Sequence, residues 1–322
     1  MSAKMAFLSA VALIIATLIV QPVKTAESQG LHILPEPGVC GVSLTERVRG
    51  GNKTALNAHP WAALFGVRFV GDPTGRIQFI CGGSLITDQF VLTAAHCYNG
   101  IIPDEHRRKV VIRLGEWDIE SEPDCIDDNC ADRAIDFEVA FYRRHEEYTS
   151  NPTHNDLALI KLPRKVSFTE FISPVCLPVA EELQKQSETG KIFTVVGWGT
   201  TERGTEKPGF YSSRFKLEAD LPGVDWDTCH ELVPRLWPSE FCAGNGTEEQ
   251  ACKGDSGGPL VAIEDDGYWY QYGIVSYGFA CGEGPYGMYA RVSSFIPWIV
   301  KNLNEMNLKN NNDADENELV GS

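Results

Sequence analysis

Three short motifs in this 322-residue chain carry side chains that together can attack a carbonyl group. His96 stands in the motif TAAHC, Asp156 in NDLAL and Ser256 in the glycine-rich GDSGGP. A serine hydroxyl is a weak nucleophile at neutral pH, so Ser256 needs a base such as His96 to take its proton. A buried carboxylate at Asp156 would hold the imidazole in the required tautomer and stabilise the imidazolium. These residue types therefore indicate nucleophilic catalysis by a serine.

Each motif alone also has a structural interpretation. His96 could be a hydrogen-bonded core histidine, Asp156 a turn cap, and the glycines around Ser256 a tight hairpin. Their joint occurrence in the order His, Asp, Ser favours chemistry. The main alternative is a binding or regulatory protein that keeps a catalytic scaffold without turnover; such chains normally show a replaced catalytic residue, and none is replaced here.

Composition narrows the class of protein. The hydrophobic content of 43% is enough for a buried core, and the formal net charge of −16 argues against nucleic acid or an anionic membrane as a partner. An apolar run from Ala6 to Val20 follows Lys4 and is typical of a secretory signal, with a retained signal anchor as the alternative. We expect a secreted, extracellular protein with a signal peptide over residues 1–26.

Patterns further along the chain predict the elements that position the three motifs. Short β-type runs separated by turn residues indicate antiparallel barrels or sandwiches, and Ser294–Asn304 has helical spacing. Residues 27–47 form a pro-segment in this interpretation, 48–305 the main domain, and the acidic remainder over 306–322 a solvated tail. The β-type runs are Phe79–Ile80, Val110–Leu114, Ile192–Val196 and Tyr272–Val275.

Ten cysteines follow the export signal, and an even number in an oxidising compartment suggests disulfides. Zinc binding is the alternative. It is disfavoured because the sequence has no CxxC pair and no histidines spaced as companions to the cysteines. We therefore expect no metal cofactor of this kind.

Together, the three motifs resemble the chymotrypsin/trypsin family of serine endopeptidases, from Val48 to the C-terminal helix. The resemblance implies an all-β fold of two six-stranded antiparallel barrels with a C-terminal helix, and a triad of His96, Asp156 and Ser256 at their junction. It also implies peptide-bond hydrolysis through an acyl-enzyme. The backbone amides of Gly254 and Ser256 would form the oxyanion hole.

The segment RVRGG at residues 47–51 resembles the activation junction of this family. Cleavage after Arg47 by an upstream protease would expose the ammonium of Val48, which would insert beside Asp255 and order the site. The pKa of that ammonium should be raised by Asp255, so the pairing would hold below the free value of about 8 and be lost as pH climbs through the raised value. The alternative is that Arg47 is an exposed loop residue.

The resemblance also implies a disulfide pairing, which spacing alone cannot select. Four pairs follow the family, and the remaining two cysteines are close enough along the chain to join each other. The implied pairs are Cys40–Cys176, Cys81–Cys97, Cys229–Cys242 and Cys252–Cys281, with Cys125–Cys130 left over.

That extra pair and the LGEWD segment at residues 114–118 look like the catalytic domains of insect clip-domain proteases of haemolymph cascades. A clip module needs six cysteines of its own, and only Cys40 precedes the protease region. A cascade role, with a protein substrate and a protein inhibitor as partners, is thus an analogy, and a digestive enzyme is the alternative. Glu116, Glu120 and Glu122 offer the hard oxygen ligands that calcium prefers, but a solvated acidic loop is favoured, and no other cofactor is expected.

Specificity is expected to depart from trypsin. The family position at the pocket floor falls on Gln250, a neutral residue, where trypsin-like members place an aspartate that pairs with Arg or Lys. Gly278 and Gly287 should leave the pocket walls open, so we expect large neutral side chains before the scissile bond; a surface position for Gln250 is the alternative. Lys253 would weakly favour acidic or polar residues near the cut.

Asn52 and Asn245 fit the glycosylation pattern.

Overall fold

The computed structural model describes residues 33–43, 52–98, 108–139, 141–200, 213–246, 251–278 and 284–319. Side chains are described throughout, except those of Asn52 and of residues 309–319. The apolar segment 6–20, the junction at Arg47 and Val48, the predicted pocket-floor residue Gln250 and Cys281 all lie outside these ranges.

Short antiparallel strands make up most of the described chain. They are rich in β-branched and aromatic residues, which pack well on a pleated surface. The strands of the N-terminal half are β1 (Asn52–Lys53), β2 (Ala62–Phe69), β3 (Ile77–Leu85), β4 (Phe90–Thr93), β5 (Arg108–Leu114), β6 (Cys125–Ile126), β7 (Asn129–Cys130), β8 (Ile135–Glu138), β9 (Phe141–Arg144), β10 (Thr149–Ser150), β11 (Thr153–His154) and β12 (Ala158–Lys161). Those of the C-terminal half are β13 (Ile192–Gly197), β14 (Leu217–Pro222), β15 (Glu240–Ala243), β16 (Pro259–Ile263), β17 (Trp269–Gly278) and β18 (Gly287–Arg291).

The first barrel has the strand order β8-β5-β2-β3-β4-β12-β9. Its two edge strands, β8 and β9, follow each other closely along the chain. Since β8 pairs with β5 and β9 pairs with β12, the two edges of the sheet belong to neighbouring segments. Counted as one unit, β8 and β9 leave six strands in the barrel, as the family resemblance implies.

The second barrel has the order β1-β14-β13-β16-β17-β18-β15. Its closure depends on a bridge between Gly223, after β14, and Ala243 at the end of β15. The amide of Gly244 also donates to the carbonyl of Pro222 at 2.9 Å across the same gap. The two-residue β1 only extends this sheet, so the closed barrel again has six strands.

The hydrophobic core has a large cluster that fills the first barrel and a smaller one inside the second. Trp61 and Phe65 are among the fully buried side chains of the first cluster, and Phe193 of the second. The large cluster continues across the junction, since Val261 and Ile274 of the second barrel belong to it. Residues that act at the junction are therefore supported by a core to which both barrels contribute.

The C-terminal helix runs over Val292–Leu319 and packs on the first barrel. Ile299 and Leu303 are fully buried, and the ammonium of Lys161 donates to the carbonyl of Met306 at 2.6 Å. The helix thus begins two residues before the predicted start and continues through the segment for which the sequence predicts a solvated tail. It can do so because a helix satisfies its own backbone hydrogen bonds without apolar contacts.

Two shorter helices occur at Glu181–Gln184 and Trp226–Leu232, and a 3-10 helix at Ala95–Tyr98. Asp225 caps the second of these, because its carboxylate accepts a hydrogen bond from the amide of Thr228 at 2.9 Å. Within the described ranges, no helix has the length and apolar character needed to span a bilayer.

The structure contains four of the five expected disulfides: three of the four pairs that the family resemblance implies, and the pair of the two remaining cysteines. They are Cys40–Cys176, Cys81–Cys97, Cys125–Cys130 and Cys229–Cys242. Cys252 is also disulfide-bonded, while Cys281, its predicted partner, lies outside the described residues.

Residues 33–43 lie on the body of the protein and are attached to it by more than the disulfide at Cys40. The amide of Gly41 donates to the carbonyl of Pro174 at 2.9 Å, and its carbonyl accepts from the amide of Trp269 at 3.0 Å. Leu34 is buried in the core. This part of the predicted pro-segment is therefore an integral piece of the fold.

Candidate active site

Asp156 lies at the junction of the barrels, immediately before β12. Its Oδ2 is 2.7 Å from Nδ1 of His96, and its Oδ1 accepts a hydrogen bond from the backbone amide of His96 at 2.9 Å. Ser276, in β17 of the second barrel, donates its hydroxyl to Oδ2 of Asp156 at 2.5 Å. The carboxylate is thus fixed from both barrels, and it orients the imidazole with Nε2 directed away from it.

The environment of Asp156 keeps it ionised although it is buried. Burial alone would raise the pKa of this carboxyl, but the hydrogen bond and the charge of His96, followed by the hydroxyl of Ser276, hold the pKa below its usual range. A permanently charged carboxylate at this position stabilises an imidazolium that forms on His96.

The turn that carries Ser256 docks closely on the first barrel because of the glycines that follow the serine. The carbonyl of Ser256 accepts a hydrogen bond from the amide of Gly82 at 2.7 Å. Gly257 has a φ of +78°, and a Cβ on it would lie 2.3 Å from Oγ1 of Thr93, so only glycine fits. Among the described residues there is no hydrogen bond between Nε2 of His96 and Oγ of Ser256; such bonds often tighten only when substrate binds.

The backbone amides around Ser256 divide into two groups. Those of Asp255, Gly257 and Gly258 donate to the carbonyls of Cys252, Val275 and Asp255 at 3.0, 2.8 and 2.8 Å. Those of Gly254 and Ser256 have no acceptor within the described part of the chain. Two unused donors beside the hydroxyl of Ser256 can bind an oxygen that becomes negative during attack on a carbonyl.

Asp255 is buried behind these amides, and a cationic partner is not found for it among the residues described. Its carboxylate accepts hydrogen bonds from the amides of Gly199 at 2.6 Å and Cys252 at 2.9 Å. Burial raises the pKa of Asp255 to about 6, although the two hydrogen bonds act to lower it. A Cβ on Gly197 or on Gly199 would collide with the carboxylate of Asp255. The backbone of these two glycines therefore packs directly against the carboxylate.

Gly278 and Gly287 face each other in the β17–β18 pair. A Cβ on Gly278 would meet only Cα of Gly287, at 3.8 Å. A Cβ on Gly287 would lie 3.0 Å from the hydroxyl of Tyr289. That hydroxyl is buried and has no hydrogen-bond partner in the described structure. Gly278 thus leaves open space two residues after Ser276, whereas the phenol of Tyr289 packs closely on Gly287.

The acidic loop after β5 is only partly solvated. Glu116 is buried, its Oε2 3.0 Å from Arg113, and its Oε1 accepts from the amide of Trp117 at 3.0 Å. Burial, and then the charge of Asp124, raise the pKa of Glu116 to about 7. Glu120 and Glu122 are not buried. Whether the loop takes calcium stays a prediction.

One cluster in the described residues, Cys81, His96 and Cys97, has its ligand atoms close enough for a metal ion. Its two cysteines form a disulfide with each other, so neither offers the thiolate that zinc requires. The cluster is therefore the covalent support of the histidine segment.

Of the two predicted glycosylation positions, Asn245 is exposed and precedes a bend at Gly246. Asn52 is in β1, opposite Glu218. Lys253, next to Gly254, is exposed.

The geometry defines a class of protein: two β-barrels with a His–Asp pair on one, a serine in a glycine turn on the other, and free amide donors beside it. This is the site of a serine peptidase. Comparison with known proteins agrees. The chain belongs to the trypsin family, whose model, described as Trypsin, matches residues 48–299.

Particular relatives are insect proteases. The chain is 38% identical to the CLIP domain-containing serine protease HP8 of Bombyx mori, covering 86% of this chain and 75% of the relative. It is 34% identical to phenoloxidase-activating enzyme 1 of Spodoptera litura, covering 84% and 70%. Among solved structures, the Drosophila Grass clip serine protease of the Toll pathway matches with a TM-score of 0.73 at 34% identity, covering 86% of this chain and 78% of that one.

The sequence motifs did not reveal Ser276 and Tyr289. Both are in ordinary-looking strands, and only the folded chain brings Ser276 to Asp156 and Tyr289 to Gly287. The sequence offered one indication for Ser276. It lies two residues before Gly278, a residue predicted to line the substrate pocket.

Proposed function

We propose that this chain is the zymogen of a secreted serine endopeptidase in which Ser256, activated by His96, cleaves peptide bonds through an acyl-enzyme. The observation that carries the proposal is the carboxylate of Asp156, held between His96 and Ser276 across the barrel junction. Asp156 would fix the imidazole, and the amides of Gly254 and Ser256 would bind the oxyanion of the tetrahedral intermediate.

Activation would occur by cleavage after Arg47, directly before the protease domain of residues 48–305. The support is Asp255, a buried carboxylate with two amide donors and no described cation. A buried charge of this kind is costly until a cation pairs with it. The ammonium of Val48, released by cleavage, would supply that cation and order the amides on either side of Asp255.

The context is an extracellular proteolytic cascade, with an upstream protease as activator and a protein inhibitor as regulator. The names of the relatives support this context: one activates phenoloxidase and another belongs to the Toll pathway. The apolar segment at residues 6–20 would export the chain, and Asn52 and Asn245 would be the glycosylation sites. A digestive role is the alternative within the protease class.

Gln250 at the pocket floor would select large neutral side chains rather than Arg or Lys. The described wall at Gly278 supports this assignment, since a Cβ there would meet only Cα of Gly287 at 3.8 Å. The buried hydroxyl of Tyr289, without a partner among described atoms, adds a neutral polar group to the same region.

The test is peptide-library hydrolysis by the chain cut after Arg47, beside the uncut chain and a Ser256→Ala control. Activity in the cut form alone, with a large neutral residue before the scissile bond, is the expected result. Cleavage almost exclusively after Arg would overturn the assignment of Gln250. If none of the three proteins hydrolyses a peptide and a serine-reactive probe labels none of them, the chain is a scaffold without turnover.

A further inference from the structure

A second buried carboxylate lies close to the catalytic junction. Glu240, the first residue of β15, is 3% exposed. Its Oε2 accepts hydrogen bonds from the hydroxyl of Tyr277 and from the backbone amide of Trp237, both at 3.1 Å. Its Oε1 is 3.0 Å from Nδ1 of His154.

The two side chains that Glu240 joins come from the segments that carry the catalytic contact. His154 is two residues before Asp156, and Tyr277 directly follows Ser276. The hydrogen bond from Ser276 to Asp156 and the bridge through Glu240 therefore run side by side between the barrels. A buried carboxylate with several hydrogen bonds is a rigid connector, since breaking any of them leaves a charge short of partners.

Asn155, between His154 and Asp156, shows why the first segment needs such a support. It has a φ of +51°, in the left-handed region that residues other than glycine rarely occupy. A conformation of this kind persists only where the surroundings fix it. Asp156 is fixed on one side by His96, and His154 on the other by Glu240.

His154 is also held by packing. Its ring stacks on Trp237 with the centroids 4.0 Å apart and the planes at 17°. Because the amide of Trp237 donates to Glu240 as well, the indole and the carboxylate hold the imidazole from two directions. Burial, and then Glu240, raise the pKa of Tyr277, which therefore keeps its proton and remains a donor.

We propose that Glu240 is a positioning residue for the peptidase reaction: it anchors the ring of Tyr277 on the buried His154, so that a peptide extending from the pocket meets a rigid wall. The inference rests on the proposed function, since it assumes that Asp156 and Ser276 belong to the working site. Tyr277 is half-buried and lies between Ser276 and Gly278. Because Gly278 belongs to the predicted pocket wall, a substrate chain bound there would lie beside Tyr277.

Glu240→Gln tests the role in the enzyme cut after Arg47. The glutamine side chain keeps the shape of the glutamate. Its NH2 group replaces one carboxylate oxygen and cannot accept a hydrogen bond, so either the contact with His154 or the contacts with Tyr277 and Trp237 are weakened. We expect kcat/KM to fall about 10-fold for peptides with several residues before the scissile bond, and less than twofold for a single-residue ester. A fall in kcat/KM for the peptide that comes mainly from a higher KM would show that the wall binds the peptide. The ester is too short to contact the wall and should keep its kcat/KM.

Tyr277→Phe is the second variant, since it removes only the hydroxyl that contacts Glu240. It should reproduce the peptide-specific loss in the same direction. The double variant should be no worse than Glu240→Gln alone, because both changes break the same connection.

Ser84→Ala is the matched control. Its hydroxyl donates to Oε1 of Gln271 at 2.5 Å, another buried hydrogen bond between the two barrels, without contacting His96, Asp156 or Ser276. It should affect ester and peptide equally, as generic loosening of the junction would.

Equal losses on ester and peptide by Glu240→Gln, additive effects of the two changes, or unchanged peptide hydrolysis would each overturn the inference. Failure of the proposed function is distinguishable: in that case the cut wild-type enzyme would not be labelled by a serine-reactive probe. If the probe labels the wild type and the Glu240→Gln variant hydrolyses peptides as the wild type does, only the role of Glu240 is refuted.

Discussion

The hydroxyl of Ser276 and the carboxylate of Asp156 meet across the boundary between the two barrels at 2.5 Å. Asp156 stands on the first barrel, before β12, whereas Ser276 is a residue of β17 in the second. The orientation of His96 therefore depends on how the barrels are docked as well as on the loop that carries the histidine.

Removal of that hydroxyl should weaken catalysis without dismantling the fold. Hydrogen bonds to charged groups contribute about 1.5–3 kcal/mol, so Ser276→Ala should lower kcat/KM about 10- to 100-fold. Steady-state kinetics on one peptide substrate measures the effect. Ser173→Ala, which removes another buried serine hydroxyl away from the triad, is the control; an equal loss there would show that the effect is not specific to Asp156.

Filling the space between the facing glycines should change specificity. Gly278 has ordinary backbone angles, and its missing Cβ meets only Cα of Gly287. Gly278→Val should therefore fold, yet lower kcat/KM for substrates with a large residue before the scissile bond about 100-fold. Substrates with alanine there should be nearly unaffected. A small serine-reactive probe should label the variant at the wild-type rate; slower labelling would mean that the substitution disturbed Ser256 itself.

The stability of the uncut chain should depend on pH through Asp255. Burial raises the pKa of this carboxyl from 3.8 to about 6, so the native state binds the proton more tightly than the unfolded state. The free energy of unfolding then falls as pH rises from about 4 to about 6, by about 3 kcal/mol in total. Urea denaturation of the uncut wild type and of Asp255→Asn across this range measures it.

The Asp255→Asn variant should lack that part of the pH dependence, because an amide does not ionise. Identical pH profiles for the two proteins would contradict the burial of Asp255 without a cation from the described part of the chain.

The disulfides should contribute unequally to stability. Cys125–Cys130 spans 5 residues, whereas Cys40–Cys176 spans 136. In the chain-entropy account the longer loop restricts the unfolded state more, with contributions of about 2 and about 5 kcal/mol. Replacing each pair with two alanines and measuring urea denaturation of the uncut chain compares them. A larger loss for the short loop would show that local contacts, and not chain entropy, dominate.

Much of the fold was predictable because its signals are local. The apolar runs at Val110–Leu114 and Ile192–Val196 lie within β5 and β13, and the helical spacing after Ser294 falls inside the C-terminal helix. The barrel closures were inferred from resemblance only. They depend on pairings such as Gly223 with Ala243, which no periodicity in the sequence encodes.

The site shows the same division. The side chains of His96 and Asp156 were recognisable by type and order, and the structure brings them together at 2.7 Å. The residues that fix them were not recognisable, since Ser276 and Glu240 act through contacts between strands distant in sequence. The sequence also favoured a solvated acidic loop, whereas Glu116 is turned inward against Arg113, a pairing that depends on the conformation of the loop.

The covalent link between Cys40 and Cys176 has a consequence for the product of activation. The disulfide and the contacts of Gly41 lie on the side of the protein body formed by Pro174 and Trp269, so cutting after Arg47 would not detach the segment. The mature molecule would then be a two-chain protein. It would keep its full mass on a non-reducing gel and separate into a heavy and a light chain only after reduction.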